Sequence, residues 1–372
     1  MPGGRLAATV GGWPLLSDRP AGDAPRPRGE VPVAHDIDFS KALAELSRAR
    51  SVVLTTHVKP DADALGSAAA LSRWLRALGK TVQTILPSPP APKYAFLDPD
   101  LAVKVAGRDV NVSTLEPPDL VCIVDACTWG QLEGMGPLIA DSGATVLVID
   151  HHPTRDPLAD VEVCDPDAAA AAVLVHGLLR KAGAAIDPLT AMYLLAGLVG
   201  DTDWFRVPSV TGAVLELAAS LVRAGASPAE VYRHLEQGDD LAKVHLWGRA
   251  IETLHPALDG RTMVMSLTRS LFREMGADVG DTEGLIKECM RVRGTQVGVL
   301  LIEANGDEVR VSLRSQDPVN VLAVAERFGG GGHRRAAGAR LTGPMDDVER
   351  RVLEAVAETL WKAEAAEAAE KA

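Results

Sequence analysis

Short apolar runs, each closed by polar or turn residues, recur through the first two hundred residues of the chain. The runs are rich in Val, Leu and Ile, a composition typical of strands that are buried on both faces. Four of them are predicted strands: residues 51–56, 81–86, 119–124 and 144–149. Three helical patterns alternate with these strands or follow them: residues 64–78, 168–182 and 188–199. Strands that alternate with helices predict βαβ units and a largely parallel sheet.

The pattern changes near residue 211, where a helical stretch begins that runs to residue 255. A second group of predicted strands follows it: residues 262–267, 296–303 and 308–313. The sequence Ala-Asn-Gly-Asp at 304–307 predicts a hairpin between the last two strands. We predict a helix at 319–328, then a run of four glycines that leads into a helix of small residues, and a charged helix over 345–372.

This order predicts an α/β protein with two domains: an N-terminal domain with a parallel sheet and a smaller C-terminal α/β domain, joined by a helical connector. The first residues are rich in Pro, Gly and Arg and lack the apolar core of a secretory signal, so they predict a disordered leader. The predicted boundaries are as follows: leader 1–35, first domain 36–212, connector 213–255, second domain 256–345, terminal helix and tail 346–372.

Composition excludes some classes of partner. With 38 basic against 50 acidic residues the net charge is −12, which argues against a broad basic surface for long duplex nucleic acid. No apolar run approaches the roughly 20 residues that a membrane helix needs. Four cysteines without a Cys-x-x-Cys pair fit a reducing, cytoplasmic setting. A homodimer is compatible with the sequence, which leaves the oligomeric state open.

The first candidate site follows the predicted strand at 51–56. His57, Asp61 and Asp63 lie within seven residues, between that strand and the helix after it. Ligands of open α/β sheets bind at the carboxyl ends of the strands, where this segment is expected. One of the two aspartates could simply cap the helix. Capping does not account for a histidine and two aspartates together.

Further acids and histidines follow other buried elements. Asp125 comes directly after one predicted strand, and the triplet Asp150-His151-His152 follows the next. Asp201 ends an apolar helix. Asp125 or Asp201 alone would be read as a turn or cap residue, whereas two adjacent histidines are unusual in a purely structural loop. Together these carboxylates and imidazoles favour Mn²⁺, Mg²⁺ or Co²⁺ over a zinc site built from thiolates. Two such ions can activate water and neutralise a phosphoryl group.

A second candidate site surrounds the run Gly329–332 and His333. Successive glycines let backbone N–H groups approach an anion closely. Arg314, at the end of a predicted strand, has a guanidinium suited to bidentate contact with phosphate. The alternative is a flexible linker beside surface charges. The regular run of small residues after the glycines argues against a linker.

These motifs resemble the DHH phosphoesterases over residues 36–345, and within them the nanoRNase and pAp phosphatase subgroup. The resemblance implies that 36–212 is a DHH catalytic domain and 256–345 a DHH-associated substrate-binding domain. It implies two metal ions, with Mn²⁺ as the usual metal. One ion would be held by His57, Asp61 and Asp125, and the other by Asp63, Asp125, His151 and Asp201.

The resemblance also implies roles for residues around the metals. Asp125, Asp150 and His152 would be catalytic, with His152 facing the substrate phosphate and Asp150 orienting the histidine pair. The substrate would be held, across a cleft between the domains, by the following residues: His152, Arg314, Ser315, Gly330, Gly331, Gly332 and His333. Ala62 and Asp203 stand where glycine is common in the subgroup. Ala62 should be tolerated if its φ is negative, and Asp203 could tune the metal or face solvent.

The resemblance implies hydrolysis of short RNA oligonucleotides (nanoRNA) and of 3′-phosphoadenosine 5′-phosphate (pAp). One alternative is a phosphodiesterase for cyclic or linear dinucleotides such as c-di-AMP or pApA, which shares the same motifs. An alternative from another class is a regulatory module that binds nucleotides without catalysis. Such a module would be expected to lack a metal ligand, and none of the six is missing here.

Overall fold

A computed structural model of the chain describes residues 37–304 and 306–370. The predicted leader and Asn305, within the predicted hairpin turn, lie outside the described residues. The chain divides into two compact units between Leu235 and Glu236, inside the stretch predicted as a helical connector. The domain boundaries given above stay a prediction.

A parallel sheet forms the centre of the first unit. Its strand order is β3-β2-β1-β4-β5-β6, and every neighbouring pair is parallel. The strands are β1 Ser51–Thr55, β2 Thr81–Leu86, β3 Lys104–Val105, β4 Leu120–Val124, β5 Thr145–Asp150 and β6 Val161–Cys164. The prediction of a parallel α/β sheet is confirmed. β3 and β6 were not predicted because they are short edge strands and carry too few apolar residues for a pattern.

Eight α-helices of the first unit surround this sheet or follow it within the described range: α1 Ser40–Arg48, α2 Ala62–Ala77, α3 Asp98–Leu101, α4 Gly136–Ile139, α5 Ala171–Lys181, α6 Pro188–Asp201, α7 Gly212–Arg223 and α8 Pro228–Glu236. α2, α5 and α6 bury most of their residues, and their apolar side chains join one core. Ala62 is the first residue of α2, and its φ is not positive. Alanine is therefore tolerated at this position, where glycine is common in the subgroup. No described helix has both the length and the apolar composition for a bilayer span.

Glycines allow α2 and α6 to pack at close range. A Cβ built on Gly66 of α2 would overlap the carbonyl oxygen of Tyr193 in α6. A Cβ on Gly197 would lie 2.7 Å from Oδ1 of Asp63. This close approach places Asp63, near the start of α2, beside the end of α6, where Asp201 lies.

We expect Gly66→Ala to lower the free energy of unfolding by about 1–3 kcal/mol, because backbone atoms must move to accommodate the methyl group. Urea denaturation followed by circular dichroism measures the change. Gly212→Ala in α7 is the matched control: its Cβ meets no atom within 4 Å, and its stability should stay within about 0.5 kcal/mol of wild type. Equal stability of Gly66→Ala and wild type would contradict the close packing.

His176 on α5 is a buried histidine, with 7% of its surface exposed. Burial lowers its pKa from 6.5 to about 4. The unfolded chain therefore takes up a proton near pH 6.5, and the folded chain only near pH 4. The stability that the neutral ring contributes is present above pH 6.5 and is lost as the pH falls toward 4. Between pH 7 and pH 5 the loss is about 2 kcal/mol.

His176→Met should remove this part of the acid sensitivity, because Met fills the site without titrating. We expect the unfolding free energy of the variant to fall about 2 kcal/mol less between pH 7 and pH 5 than that of wild type. Paired urea titrations at the two pH values measure it. An identical pH dependence in both proteins would show that His176 does not contribute.

A mixed sheet forms the centre of the second unit. Its strand order is β11-β12-β10-β9-β8-β7, with β8 and β9 parallel and the other neighbours antiparallel. The strands are β7 His255–Ala257, β8 Thr262–Leu267, β9 Val297–Glu303, β10 Glu308–Ser315, β11 Gly331–His333 and β12 Ala336–Thr342. The α-helices are α9 Leu241–Glu252, α10 Arg269–Met275, α11 Leu322–Glu326 and α12 Met345–Glu370. The antiparallel β9–β10 pair agrees with the predicted hairpin.

The predicted helix of small residues after the glycines is wrong. The segment forms β11 and β12, and β12 pairs antiparallel with the whole of β10. Alanine-rich segments favour helix by local propensity, but the sheet partner decides here. Small residues are needed because the strands pass closely: a Cβ on Gly330 would overlap the carbonyl oxygen of Gly338. The helix predicted at 319–328 is shorter than expected and forms α11.

Candidate metal centre

Three neighbouring parallel strands deliver ligand groups to one edge of the first sheet. β1, β4 and β5 lie side by side, and their carboxyl ends lead to His57, Asp125 and His151. Asp125 has a φ of 59°, so the chain turns sharply where β4 ends. Aspartate accepts this left-handed conformation more readily than most residues. The edge is thus where an open α/β sheet is expected to bind a ligand.

Asp61 both caps a helix and faces the site. Its Oδ1 accepts hydrogen bonds from the backbone N–H groups of Asp63, at 2.9 Å, and Ala64, at 3.1 Å. The same oxygen lies 3.9 Å from Nε2 of His57. The capping alternative is therefore correct for the local geometry of Asp61, and the cap also fixes its carboxylate beside His57.

Asp63 is fully buried and holds the N-terminus of a second helix. Its carboxylate accepts hydrogen bonds from the backbone N–H groups of Ala171, at 2.5 Å, and Ala172, at 2.9 Å. These residues begin α5, whose positive end stabilises a negative charge. Ligand atoms of Asp63, His151 and Asp201 all lie within 4.8 Å of one another.

Asp125 lies between two groups of ligands. Its Oδ2 is 3.5 Å from Nε2 of His57, and its Oδ1 is 3.4 Å from Nε2 of His151. The residue is only 2% exposed. Burial by itself would raise the pKa of its carboxyl group, but the neighbouring imidazoles of His151 and His57 lower the pKa to about 2. The carboxylate is therefore ionised and presents one oxygen to each group.

Backbone carbonyls orient both of these histidines. Nδ1 of His57 donates to the carbonyl oxygen of Val58 at 2.8 Å, and Nδ1 of His151 donates to that of Ala168 at 3.1 Å. Each ring therefore turns Nε2 toward the carboxylates, the arrangement typical of histidines that bind metals. Burial opposes protonation of His57, but the nearby Asp125 raises its pKa to about 9. A bound cation would replace these protons.

His152 is held by Asp150. Oδ1 of Asp150 lies 2.8 Å from Nδ1 of His152 and accepts a further hydrogen bond, of 2.8 Å, from the backbone N–H of His151. The hydrogen bond from Nδ1 to Asp150 raises the pKa of His152. Asp150 is buried at the end of β5, so it fixes the ring from inside the fold.

The donor set fits a divalent cation. Oδ1 of Asp125 and Nε2 of His151 are buried and make no hydrogen bond. The carboxylate oxygen Oδ2 of Asp201 lies 2.9 Å from Nε2 of His151, as an ion-pair contact. Buried polar atoms without a partner are costly unless a ligand or ion satisfies them. The atoms that converge are carboxylate oxygens and imidazole nitrogens, which suit Mn²⁺ or Mg²⁺. Asp203 pairs instead with Arg206, at 2.8 Å.

The second candidate site is a cleft of about 670 Å³ in the second unit. Arg314, Gly330, Gly331 and Gly332 line it, as the sequence predicts. His333 is the last residue of β11. Ser315 is not among the lining residues, and its hydroxyl donates to the carbonyl oxygen of Val319 at 2.7 Å.

Two further arginines in the lining were missed. Arg310 is on β10 with Arg314, and Arg340 lies opposite Arg310 on β12. The alternation of residues along β10 places 310 and 314 on the same face, so the period of a strand could have identified Arg310. Arg340 could not be identified in this way, because β12 was not predicted as a strand.

Comparisons with known proteins agree with this arrangement. The DHH family, N-terminal domain, matches residues 51–199, and the DHHA1 domain matches residues 263–362. The bifunctional oligoribonuclease and PAP phosphatase NrnA of Thermus thermophilus is 31% identical over 343 residues, which are 90% of this chain and 98% of the relative. The protein of the same name from Bacillus subtilis is 27% identical over 305 residues, 81% of this chain and 93% of the relative.

A solved structure shows the same fold. The crystal structure of an exopolyphosphatase-related protein from Bacteroides fragilis superposes with a TM-score of 0.82 and 21% identity. The match covers 87% of this chain and 98% of the other. The sequence resemblance is thus confirmed by both domain matches and by a relative that spans nearly the whole chain. The chain belongs to the DHH family.

Proposed function

We propose that this protein is a two-metal phosphoesterase that hydrolyses short RNA oligonucleotides and pAp. The observation that carries the proposal is the position of Asp125, buried between His57 and His151 with one oxygen toward each. Two relatives that are named bifunctional oligoribonuclease and PAP phosphatase support the choice of substrate.

Six residues would hold the metals, which we propose are Mn²⁺. His57, Asp61 and Asp125 would bind one ion, and their ligand atoms already lie within 4.8 Å of one another. Asp125 would also bind the second ion, together with Asp63, His151 and Asp201. When bound, such ions supply the charge that activates water and neutralises a phosphoryl group at neutral pH.

His152 would contact the substrate phosphate. Because its Nδ1 is committed to Asp150, Nε2 is the ring nitrogen that would donate a hydrogen bond or a proton to a phosphate oxygen. The raised pKa of His152 favours the protonated form of the ring, in which both ring nitrogens are donors. Asp150 would act through His152 by fixing the ring and stabilising its positive charge.

The cleft in the second unit would be a second site for nucleotide. We propose that Arg314, with the backbone of Gly330, Gly331 and Gly332, binds phosphate there, and that Ser315 and His333 complete this site. The lining of the cleft by Arg314 and the glycines supports this role. Guanidinium groups and exposed backbone N–H groups are the usual partners of phosphate.

We also propose a cytoplasmic setting, in which short nucleotides are available. All four cysteines are unpaired thiols, and three of them are buried. Unpaired thiols are usual in reducing compartments.

A substrate panel with Mn²⁺ tests the proposed function. It contains pAp, RNA of two to five nucleotides, a 24-nucleotide RNA, pApA and c-di-AMP, and it is repeated with Mg²⁺ and Co²⁺. We expect kcat/KM for pAp and the shortest RNAs to exceed that for the 24-mer and for c-di-AMP by about 100-fold or more. Preference for c-di-AMP would favour the dinucleotide phosphodiesterase. Binding without turnover of any compound would favour the regulatory module and overturn the proposal.

A further inference from the structure

Trp129 is a large aromatic residue that has no role in the metal centre as described above. It is the first residue of a short 3₁₀ helix, Trp129–Gln131, four residues after Asp125. The residue is 40% exposed. Residues four positions apart have Cα atoms at most about 14 Å from each other, so the backbone of Trp129 lies near that of Asp125.

The backbone that carries Trp129 is fixed on one side by Gln131. The side-chain oxygen of Gln131 accepts hydrogen bonds from the backbone N–H groups of Cys127 and Thr128, both at 3.1 Å. The backbone oxygen of Gln131 accepts a hydrogen bond, of 2.8 Å, from the N–H of Val58. The turn is thereby attached to the segment that begins with the candidate ligand His57.

Asp156 fixes the turn on the other side. Its Oδ2 accepts a hydrogen bond from the backbone N–H of Trp129 at 2.8 Å, and its own N–H donates to the carbonyl oxygen of Cys127, also at 2.8 Å. Asp156 follows His152 by four residues, on the segment after β5. Trp129 therefore stands on a turn held between the segments of His57 and of His152.

An exposed aromatic ring on a fixed turn near a phosphate site can serve as a platform for a nucleobase. Within the described ranges, Trp129 is the one large exposed apolar side chain on the segments 57–61, 125–131 and 150–156. Stacking on a base is tolerant of sequence because every base presents a π-face. The backbone of the turn is already held by hydrogen bonds, so little backbone freedom would be lost on binding.

We propose that Trp129 stacks on the nucleobase of the nucleotide whose phosphate occupies the metal centre. This inference rests on the proposed function and adds a specificity element to it: the base, as well as the phosphate, is recognised in the first unit. Purines should stack more strongly than pyrimidines, since they present a larger ring. We therefore expect a preference for purine nucleotides, and for oligonucleotides with a purine at the cleaved end, over their pyrimidine counterparts.

The test compares two substrates that differ only in the base: pAp and ribose 3,5-bisphosphate. For Trp129→Ala we expect KM for pAp to rise about 5- to 100-fold, kcat to change less than about 3-fold, and the base-free substrate to be unaffected. Trp129→Phe should recover most of the loss. Trp361→Ala, which removes an indole 68% exposed on α12, is the matched control and should resemble wild type.

Equal KM values for pAp in wild type and Trp129→Ala would overturn the inference, as would an equal loss on both substrates. Calorimetric titration with pAp and with adenosine 5′-monophosphate measures dissociation constants without turnover. It therefore distinguishes failure of the stacking role from failure of the proposed hydrolysis. If wild type binds pAp without hydrolysing it and Trp129→Ala binds at least about 5-fold more weakly, the stacking role stands and the proposed hydrolysis fails. Equal dissociation constants overturn the stacking role.

Discussion

Asp125→Asn should lower manganese-dependent turnover of pAp by about 1000-fold or more while the chain stays folded. Asp125 faces both groups of candidate ligands, with Oδ2 toward His57 and Oδ1 toward His151. Asparagine keeps the size of the side chain and accepts the left-handed backbone at this position, where φ is 59°. It removes the negative charge, and metal ions contribute several kcal/mol to stabilising the transition state of phosphoryl transfer.

Asp203→Asn is the matched control for this variant. Asp203 is also an aspartate with positive φ, at 46°, and it lies two residues from Asp201, but its carboxylate pairs with Arg206. We expect its turnover to stay within about 3-fold of wild type. Manganese content, measured by mass spectrometry after gel filtration, should fall for Asp125→Asn and not for Asp203→Asn. Near wild-type turnover of Asp125→Asn would contradict the two-metal mechanism.

The candidate ligands could be predicted because they share a simple geometric rule. The carboxyl ends of adjacent parallel strands meet at one edge of a sheet, so acids and histidines that directly follow buried runs are expected to converge there. His57, Asp125 and His151 obey this rule. Asp201 is not on a strand. Its approach depends on the close packing of α2 on α6, which the glycines of both helices allow.

The hydrogen bonds of Asp63 to the N-terminus of α5 could not be predicted from the sequence around Asp63. Capping was considered for its own helix, whereas its carboxylate caps α5, which begins more than a hundred residues later. A hydrogen bond over that distance in sequence has no local signal. The two backbone N–H groups hold the buried side chain in place, although burial and the charges of Asp125 and Asp201 raise the pKa of its carboxyl group.

The glycine-rich segment shows where propensity misleads. Its alanines favoured a helix, but the small residues of this segment allow β11 and β12 to approach closely and complete the sheet. The error concealed the cleft, because Arg340 joins Arg310 and Arg314 only when β12 pairs with β10. Local composition predicts a phosphate-binding motif, and only the strand pairing shows which side chains accompany it in the cleft.

His152→Gln should reduce kcat for pAp by about 100- to 10,000-fold, the usual contribution of a positioned proton donor. Glutamine can donate a hydrogen bond but cannot deliver a proton. Asp150→Asn should have a smaller effect, about 10- to 100-fold, because the ring remains but loses the partner that orients and charges it. Steady-state kinetics at saturating Mn²⁺ measure both losses.

The pH dependence separates the two residues. A protonated His152 is active below its pKa, so kcat should fall as the pH rises through that value. Asp150 raises this pKa, and its replacement by Asn should move the alkaline limb of the profile to lower pH. In His152→Gln that limb should disappear. The double variant should be no slower than His152→Gln alone, because Asp150 would act through the ring. Additive losses would instead assign Asp150 a separate role, through its hydrogen bond from the backbone of His151.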